Sequence, residues 1–227
     1  MIITIDGPSI SGKTSIARML ARKLHFDYLS SGSLFRGLAY ILVHQFGYHE
    51  PQLENPALND ITQALKADNF EYRYSYESAE QVFWQGKDIT LFLSDPQIGK
   101  YASIIGTNQD VRNALAELQH AIAKDKDLVT DGRDAGSVIF ANAHIKFFLT
   151  ASTHVRAQRW QTNQKEIGRD ISFEYAVQEI VERDERDTNR TIAPLRVPEN
   201  AIIIDSSSLS KEQVLEKLLQ EVQKKAA

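Results

Sequence analysis

The chain has 227 residues, 42% hydrophobic and 25% charged, which suits a folded protein of one large domain or one and a half and excludes disordered and collagen-like chains. Its 26 Lys and Arg against 30 Asp and Glu give a net charge of −4, so no global basic field exists to hold nucleic acid or an anionic membrane. Cysteine is absent, which excludes disulfides, thiol nucleophiles, zinc fingers and iron–sulfur clusters together and makes a reducing, cytoplasmic setting the expectation.

The opening apolar stretch reaches an acid at Asp6 with no basic run before it, so no signal peptide is expected, and no later run approaches the roughly 18 apolar residues of a spanning helix. Ile2-Ile3-Thr4-Ile5 predicts a strand buried on both faces and halted by Gly7 and Pro8. Ile16, Met19, Leu20 and Leu24 then recur at helical spacing to about His25. Phe26 to Leu29 predicts a second strand, and Leu34 to Phe46 a helix stopped by Gly47. From about Asp60 to Asp88 the period changes to two. Phe70, Tyr72, Tyr74 and Tyr76 alternate with polar residues and Val82-Phe83-Trp84 precedes Gln85-Gly86, which predicts an antiparallel insertion of two or three strands. Helical texture returns from about Gln97 to Lys124, and Leu128 to Thr130, Ile145 to Leu149 and Ile202 to Ile204 are further buried strands. A basic helix around Thr153 to Lys165 and a second from Phe173 to about Arg190 are separated by Gly168, and the last helix opens on a capping box, Ser210 with Gln213. The sum is an α/β chain with five core strands.

Gly7, Pro8, Ser9, Ile10, Ser11, Gly12, Lys13 and Thr14 fit G-x-x-x-x-G-K-[ST] in full, after a strand and before a helix, the context that motif requires. Such a loop turns successive N–H groups and a helix N-terminus toward phosphate oxygens; Lys13 would bridge the phosphates, and Thr14 would offer its hydroxyl to Mg²⁺. Four fixed positions arise by chance in roughly one chain in a hundred, and the flanks reduce that further. The loop and the adjoining Ser15 are therefore candidate ATP-binding residues.

From Asp131 to Leu195 seven arginines, at 133, 156, 159, 169, 183, 186 and 190, face only Lys146 and Lys165. Arg presents a planar fork matched to phosphate oxygens, whereas a merely solvated helix would use Lys as readily. Arg183, Asp187 and Arg190 fall on one helical face and could converge on one ligand, although salt bridging along the helix would explain Arg183 with Asp187 as well. Arg186 and Arg190 are like charges at i, i+4, a cost unless an anion lies near them. Asp131-Gly132-Arg133-Asp134 follows a strand, so it should emerge at the sheet edge that carries the Gly7 loop, where Asp131 could hold Mg²⁺ through water and Arg133 could reach phosphate.

These blocks, with Ser31-Gly32-Ser33-Leu34-Phe35-Arg36, Val111-Arg112, Arg183 to Arg190 and Ala193-Pro194-Leu195, make the chain resemble the bacterial cytidylate kinases over nearly its whole length. The resemblance implies a P-loop kinase fold with a helical lid at about 153–169, a core of 1–30 and 101–227, and a region at 31–100 that binds the nucleoside monophosphate and carries the β insertion at about 60–90. It implies that Ser103, Arg112 and Asp134 contact cytosine, that Ser31, Arg36 and Arg133 meet the acceptor phosphate, and that Arg183 and Asp187 hold the ribose. Arg190 would reach the junction of the two nucleotides, and Arg156 and Arg159 would cover the triphosphate, with Lys13, Arg133, Arg159 and Arg190 as the catalytic cations. ATP with Mg²⁺ and CMP or dCMP are the implied ligands, and a monomer without nucleic-acid or membrane partners is expected. A kinase for another pyrimidine nucleotide or a small acceptor, and a non-catalytic ATP-binding regulatory module, remain open. A GTPase switch is disfavoured because Asn163-Gln164-Lys165-Glu166 misses the N-K-x-D pattern. The chain departs from the family at Ile10, where a small residue is usual, at Thr14 in place of glycine, at Ser30 and Phe35 in place of Asp and Tyr, at Leu93-Ser94 in place of Ile-Arg, and at Trp160 in place of a second Arg. Trp160 would anchor the lid or stack on adenine.

Overall fold

The structure is a computed structural model that describes residues 1–74 and 80–226. Five strands, β1 (Ile2–Asp6), β2 (Asp27–Ser30), β6 (Leu128–Gly132), β7 (Ile145–Thr150) and β8 (Ile202–Asp205), form one sheet in the order β2-β6-β1-β7-β8. β1 runs parallel to β7, with Ile5 opposite Phe147, and β7 parallel to β8, with Leu149 opposite Ile204. A three-stranded antiparallel sheet comprises β3 (Phe70–Arg73), β4 (Gln81–Trp84) and β5 (Lys87–Asp88). Eight α-helices accompany the strands of the described residues: α1 (Lys13–Leu24), α2 (Ser31–His44), α3 (Leu58–Ala64), α4 (Pro96–Ile105), α5 (Gln109–Ala123), α6 (Thr153–Glu166), α7 (Phe173–Asn189) and α8 (Lys211–Ala226).

The chain divides into two compact units, Met1–Leu24 with Val129–Ala227 and His25–Leu128. In the first, Ile3, Ile5, Phe147 and Leu149 are fully or almost fully buried, as a strand covered on both faces requires, and Ile16, Leu20, Val214 and Leu218 supply buried residues from α1 and α8. Serines set the helix starts: Ser152 accepts from Val155 N–H, Ser172 from Tyr175 N–H and Ser210 from Gln213 N–H, the last with the reciprocal Gln213 bond of a full capping box. In the second unit α2 buries Leu34, Leu38, Ile41 and Leu42 and packs on α3, α4 and α5.

The period-two stretch begins later than the sequence suggests. Leu58–Ala64 is helical, because the apolar Ile61 and Ala64 lie three apart and bury together, and alternation starts only at Phe70. Phe70 and Tyr72 face inward while Glu71 and Arg73 are exposed; Tyr76 lies outside the described residues. The single helical texture from Gln97 to Lys124 resolves into α4 and α5, broken where Asn108 caps α5 by accepting from the Asp110 and Val111 N–H groups.

Candidate active site

The first unit gathers its polar residues at the carboxyl ends of its parallel strands. After β1 the chain turns at Gly7, whose φ is +150° and where a Cβ would come within 2.0 Å of the Leu149 carbonyl oxygen on β7; only glycine permits that approach. Lys13 opens α1 and is buried, with Nζ donating to the Pro8 carbonyl at 2.6 Å and to Ser11 Oγ at 3.4 Å. Burial, and then the neighbouring Arg133 charge, hold this ammonium well below the usual lysine range, against the opposing pull of Asp131, Asp6 and Asp187. An incoming phosphate opposes that shift, because its negative charge favours the ammonium form. Thr14 donates its hydroxyl to Asp131 Oδ2 at 2.9 Å.

Asp6 closes β1 with its two carboxylate oxygens accepting from Ala135 N–H at 2.8 Å and Gly136 N–H at 2.7 Å. Those amides begin a single π-helical turn, Ala135–Ile139, directly after Asp134. A Cβ on Gly136 would lie 2.4 Å from Thr4 Oγ1, so this turn reaches the strand only because the residue has no side chain. Burial pushes the Asp6 carboxyl up to about 6 despite the two amide donors.

From α7 and the segment after it come the opposing charges. Arg133 Nε donates to Asp187 Oδ2 at 2.8 Å, Arg190 Nη2 to Asp134 Oδ1 at 3.4 Å, and Arg190 Nη1 lies 4.0 Å from Asp187. Burial opposes ionisation of Asp187, but Arg133 first, then Arg183 and Arg190, hold its carboxyl below the ordinary range. The like pair predicted to be costly is separated in fact: Arg186 is exposed and lies 3.9 Å from Glu182, whereas Arg190 turns inward and also donates to the Ala193 carbonyl. Arg159 on α6 reaches Ser11 O, Ser206 Oγ and Ser206 O at 3.4, 3.1 and 2.7 Å, bringing it to the phosphate loop and the segment after β8. Arg156 is buried, and its guanidinium donates to Ala151 O, Ser9 O, Thr153 Oγ1 and Asp184 Oδ2.

The second unit holds the remaining expected residues. Ser31 and Arg36 lie on α2, Ser103 on α4 and Arg112 on α5, and α2 packs on both of the other helices. Arg36 lies beside Gly99, one helical turn before Ser103. Arg112 is buried, donates to the Gly106 carbonyl at 3.0 Å and stands 5.6 Å from the Phe35 ring centroid.

The cytidylate kinase family model matches residues 3–224. The chain belongs to the cytidylate kinase family. A cytidylate kinase of Thermotoga sp. (strain RQ2) is 38% identical over 223 residues, covering 98% of this chain and 97% of its own. One from Pseudomonas savastanoi pv. phaseolicola (strain 1448A / Race 6) is 41% identical over 221 residues, covering 97% and 94%. A solved structure of an uncharacterized protein from Eubacterium ventriosum aligns over 98% of each chain with a TM-score of 0.54 at 12% identity, a likeness of fold alone.

Three of the departures from the cytidylate kinase pattern, Ser30, Phe35 and Trp160, have structural explanations, whereas nothing in the structure explains Leu93-Ser94. Ser30 is the N-cap of α2 and accepts from Ser33 N–H at 3.2 Å, a task serine performs as well as aspartate. Phe35 needs no hydroxyl to face Arg112. Trp160 packs against Ala157, Ala176 and Ile180 and stacks with Tyr175 at 6.1 Å between centroids. Thr14 and Asp131 offer oxygen donors, the kind that hard divalent cations take. Among the described residues no group of three or more His, Cys, Asp or Glu is placed to hold a metal ion. Two residues that sequence reasoning left without a role belong to the site's frame. Asp6 is an acid at the end of a buried, mostly β-branched strand, a signal readable in the sequence; Asp184, which accepts from Ser9 N–H and Ser9 Oγ, gave none, because Arg156 and Ser9 meet it only through the fold.

Proposed function

We propose that the chain transfers the γ-phosphoryl group of ATP to the 5′-phosphate of CMP, and of dCMP, giving ADP and CDP or dCDP. The observation that carries this reading is the arrangement around Lys13: a full phosphate loop with a buried ammonium, tied by Thr14 to Asp131 at 2.9 Å on the strand end that continues into Arg133, which donates to Asp187 at 2.8 Å, so donor-side and acceptor-side groups of the motif meet at one strand end. Such a reaction asks little covalent chemistry of the protein. The transition state is loose, its charge spread over equatorial oxygens, so catalysis consists of alignment and charge neutralisation.

In this reading the loop from Gly7 to Ser15 wraps the triphosphate, Lys13 stabilises the developing charge on the phosphoryl group, and Arg159 closes from α6. Thr14 and Asp131 would hold Mg²⁺, which when bound neutralises charge on the β- and γ-oxygens. By the family resemblance, Ser31, Arg36, Ser103, Arg112, Arg133, Asp134, Arg183, Asp187 and Arg190 are assigned to CMP. A carboxylate at Asp134 accepts from the exocyclic amine that distinguishes cytosine from uracil. The acceptor phosphate is already an anion, so no general base is needed. The chain works as a cytoplasmic monomer; its lack of cysteine and its net charge of −4 support the setting and the absence of nucleic acid.

An ADP-release assay with CMP, dCMP, UMP and AMP tests the reading. Multiple turnovers with CMP and dCMP, and much slower ones with UMP and AMP, are expected; preference for another acceptor overturns it. Asp134→Asn should narrow the CMP-to-UMP ratio without abolishing turnover.

A further inference from the structure

We propose that Ile10 is a positioning residue that couples the phosphate loop to the α6–α7 helix pair, so that loop and lid order together. The proposal rests on the reading above that α6, the helix of the lid at about 153–169, covers the donor triphosphate. Ile10 has φ +56°, the left-handed region where glycine or asparagine is at ease and a β-branched residue is an outlier. Something outside the loop must therefore hold it there. Its side chain packs against the buried cluster of Ala157 on α6 and Ala176 and Ile180 on α7, a cluster also covered by Trp160. The residue before it carries a second, polar attachment to the same helices. Ser9 donates its N–H and hydroxyl to Asp184 Oδ1 at 3.3 and 3.0 Å, Asp184 Oδ2 accepts from Arg156 Nη1 at 2.5 Å, and that same nitrogen also donates to Ser9 O at 3.1 Å.

Two consecutive loop residues thus hold α6 of the lid and the adjoining α7, one by apolar contact and one through a carboxylate and a guanidinium. Arg156 has its donors on protein acceptors, so its part is to join loop, α6 and α7, and Arg159, one turn further along α6, is the arginine this frame presents to the loop. Lifting the lid would bare Ile10 to water and remove the contact that holds its backbone, so burial of this side chain favours the docked lid and ties the order of the loop to it. Where a small residue occupies this position the apolar half of the attachment is missing, and the lid would lift more readily.

Amide hydrogen exchange on the nucleotide-free protein provides the test, with Ile10→Asn, which accepts the left-handed backbone but not the apolar socket, and Ile10→Val, which keeps the contact. In Ile10→Asn, exchange within α6 and α7 should accelerate about tenfold or more while β1 and β7 stay within about twofold, and Ile10→Val should remain close to wild type. KM for ATP should rise about tenfold in Ile10→Asn with KM for CMP nearly constant, a split that general destabilisation would not produce. Unchanged protection of α6 and α7, or equal movement of the two KM values, overturns the proposal. If Ile10→Asn does not fold, Trp160→Ala opens the socket from the lid side and should give the same local acceleration; protection at the wild-type level there overturns the proposal equally. Failure of the wild type to phosphorylate CMP would refute the functional reading instead, while the exchange data still decide the coupling.

Discussion

Thr14 donates its hydroxyl to Asp131 across 2.9 Å, joining the end of the phosphate loop to the end of β6. Both oxygens suit a divalent cation, and the bond fixes their separation before any cation arrives. Asp131→Asn keeps an acceptor for Thr14 but removes the charge. It should fold like the wild type and require about 10- to 100-fold more Mg²⁺ for half-maximal activity, the usual cost of weakening an outer ligand. Rates measured across a Mg²⁺ titration check this; an unchanged requirement removes Asp131 from the metal site.

Lys13→Met replaces a buried ammonium, held below its usual range chiefly by burial, with an apolar side chain of similar length. Because the fold disfavours the charged form, thermal stability should stay level or rise. Turnover should fall about 10²- to 10³-fold, the loss typical of one transition-state donor, with KM for CMP within about twofold. Calorimetry beside steady-state kinetics separates the two effects.

Most strands and helices were legible because their signals are local: β-branched runs before glycine, apolar residues at helical spacing, and Ser at caps. The five-stranded parallel sheet with its antiparallel insertion agrees with that reading. Leu58–Ala64 escaped because seven residues carry too few apolar repeats to outweigh the tyrosines that follow. The phosphate loop was legible as a motif, but the partners of its residues were not. Arg156 and Asp184 are 28 residues apart and Asp6 and Gly136 are 130 apart, and no spacing rule reaches across such separations.

Asp187 lies between Arg133 and Arg190, so Asp187→Ala leaves two mostly buried guanidiniums without their shared carboxylate. A stability loss of about 2–5 kcal/mol is expected, together with a raised KM for CMP and an unchanged KM for ATP. Asp187→Asn keeps part of the hydrogen bonding and should recover some of the stability but little of the CMP affinity. Equal weakening of both nucleotides in the Asn variant would make the residue structural only. The folded carboxyl titrates below 3.8, so its contribution is present above that pH and is lost as pH falls through the depressed value.

Asp6 works in the opposite sense and in a different window. Its folded carboxyl titrates at about 6 against 3.8 ordinarily, so the folded state holds the proton more tightly than the unfolded chain. Its contribution is fully present below 3.8 and is lost as pH rises through about 6, a difference of roughly 3 kcal/mol at most. Urea denaturation at pH 4.5, 5.5 and 7 should show that falling component in the wild type and not in Asp6→Asn, whose amide oxygen cannot satisfy both Ala135 and Gly136 N–H groups and so lowers stability at every pH. A carboxyl resonance of Asp6 titrating near 4 would rule the argument out. Since those two amides set the turn after Asp134, protonation of Asp6 should also raise KM for CMP below pH 6 while KM for ATP is less affected, which pH-dependent kinetics with each substrate varied in turn would show.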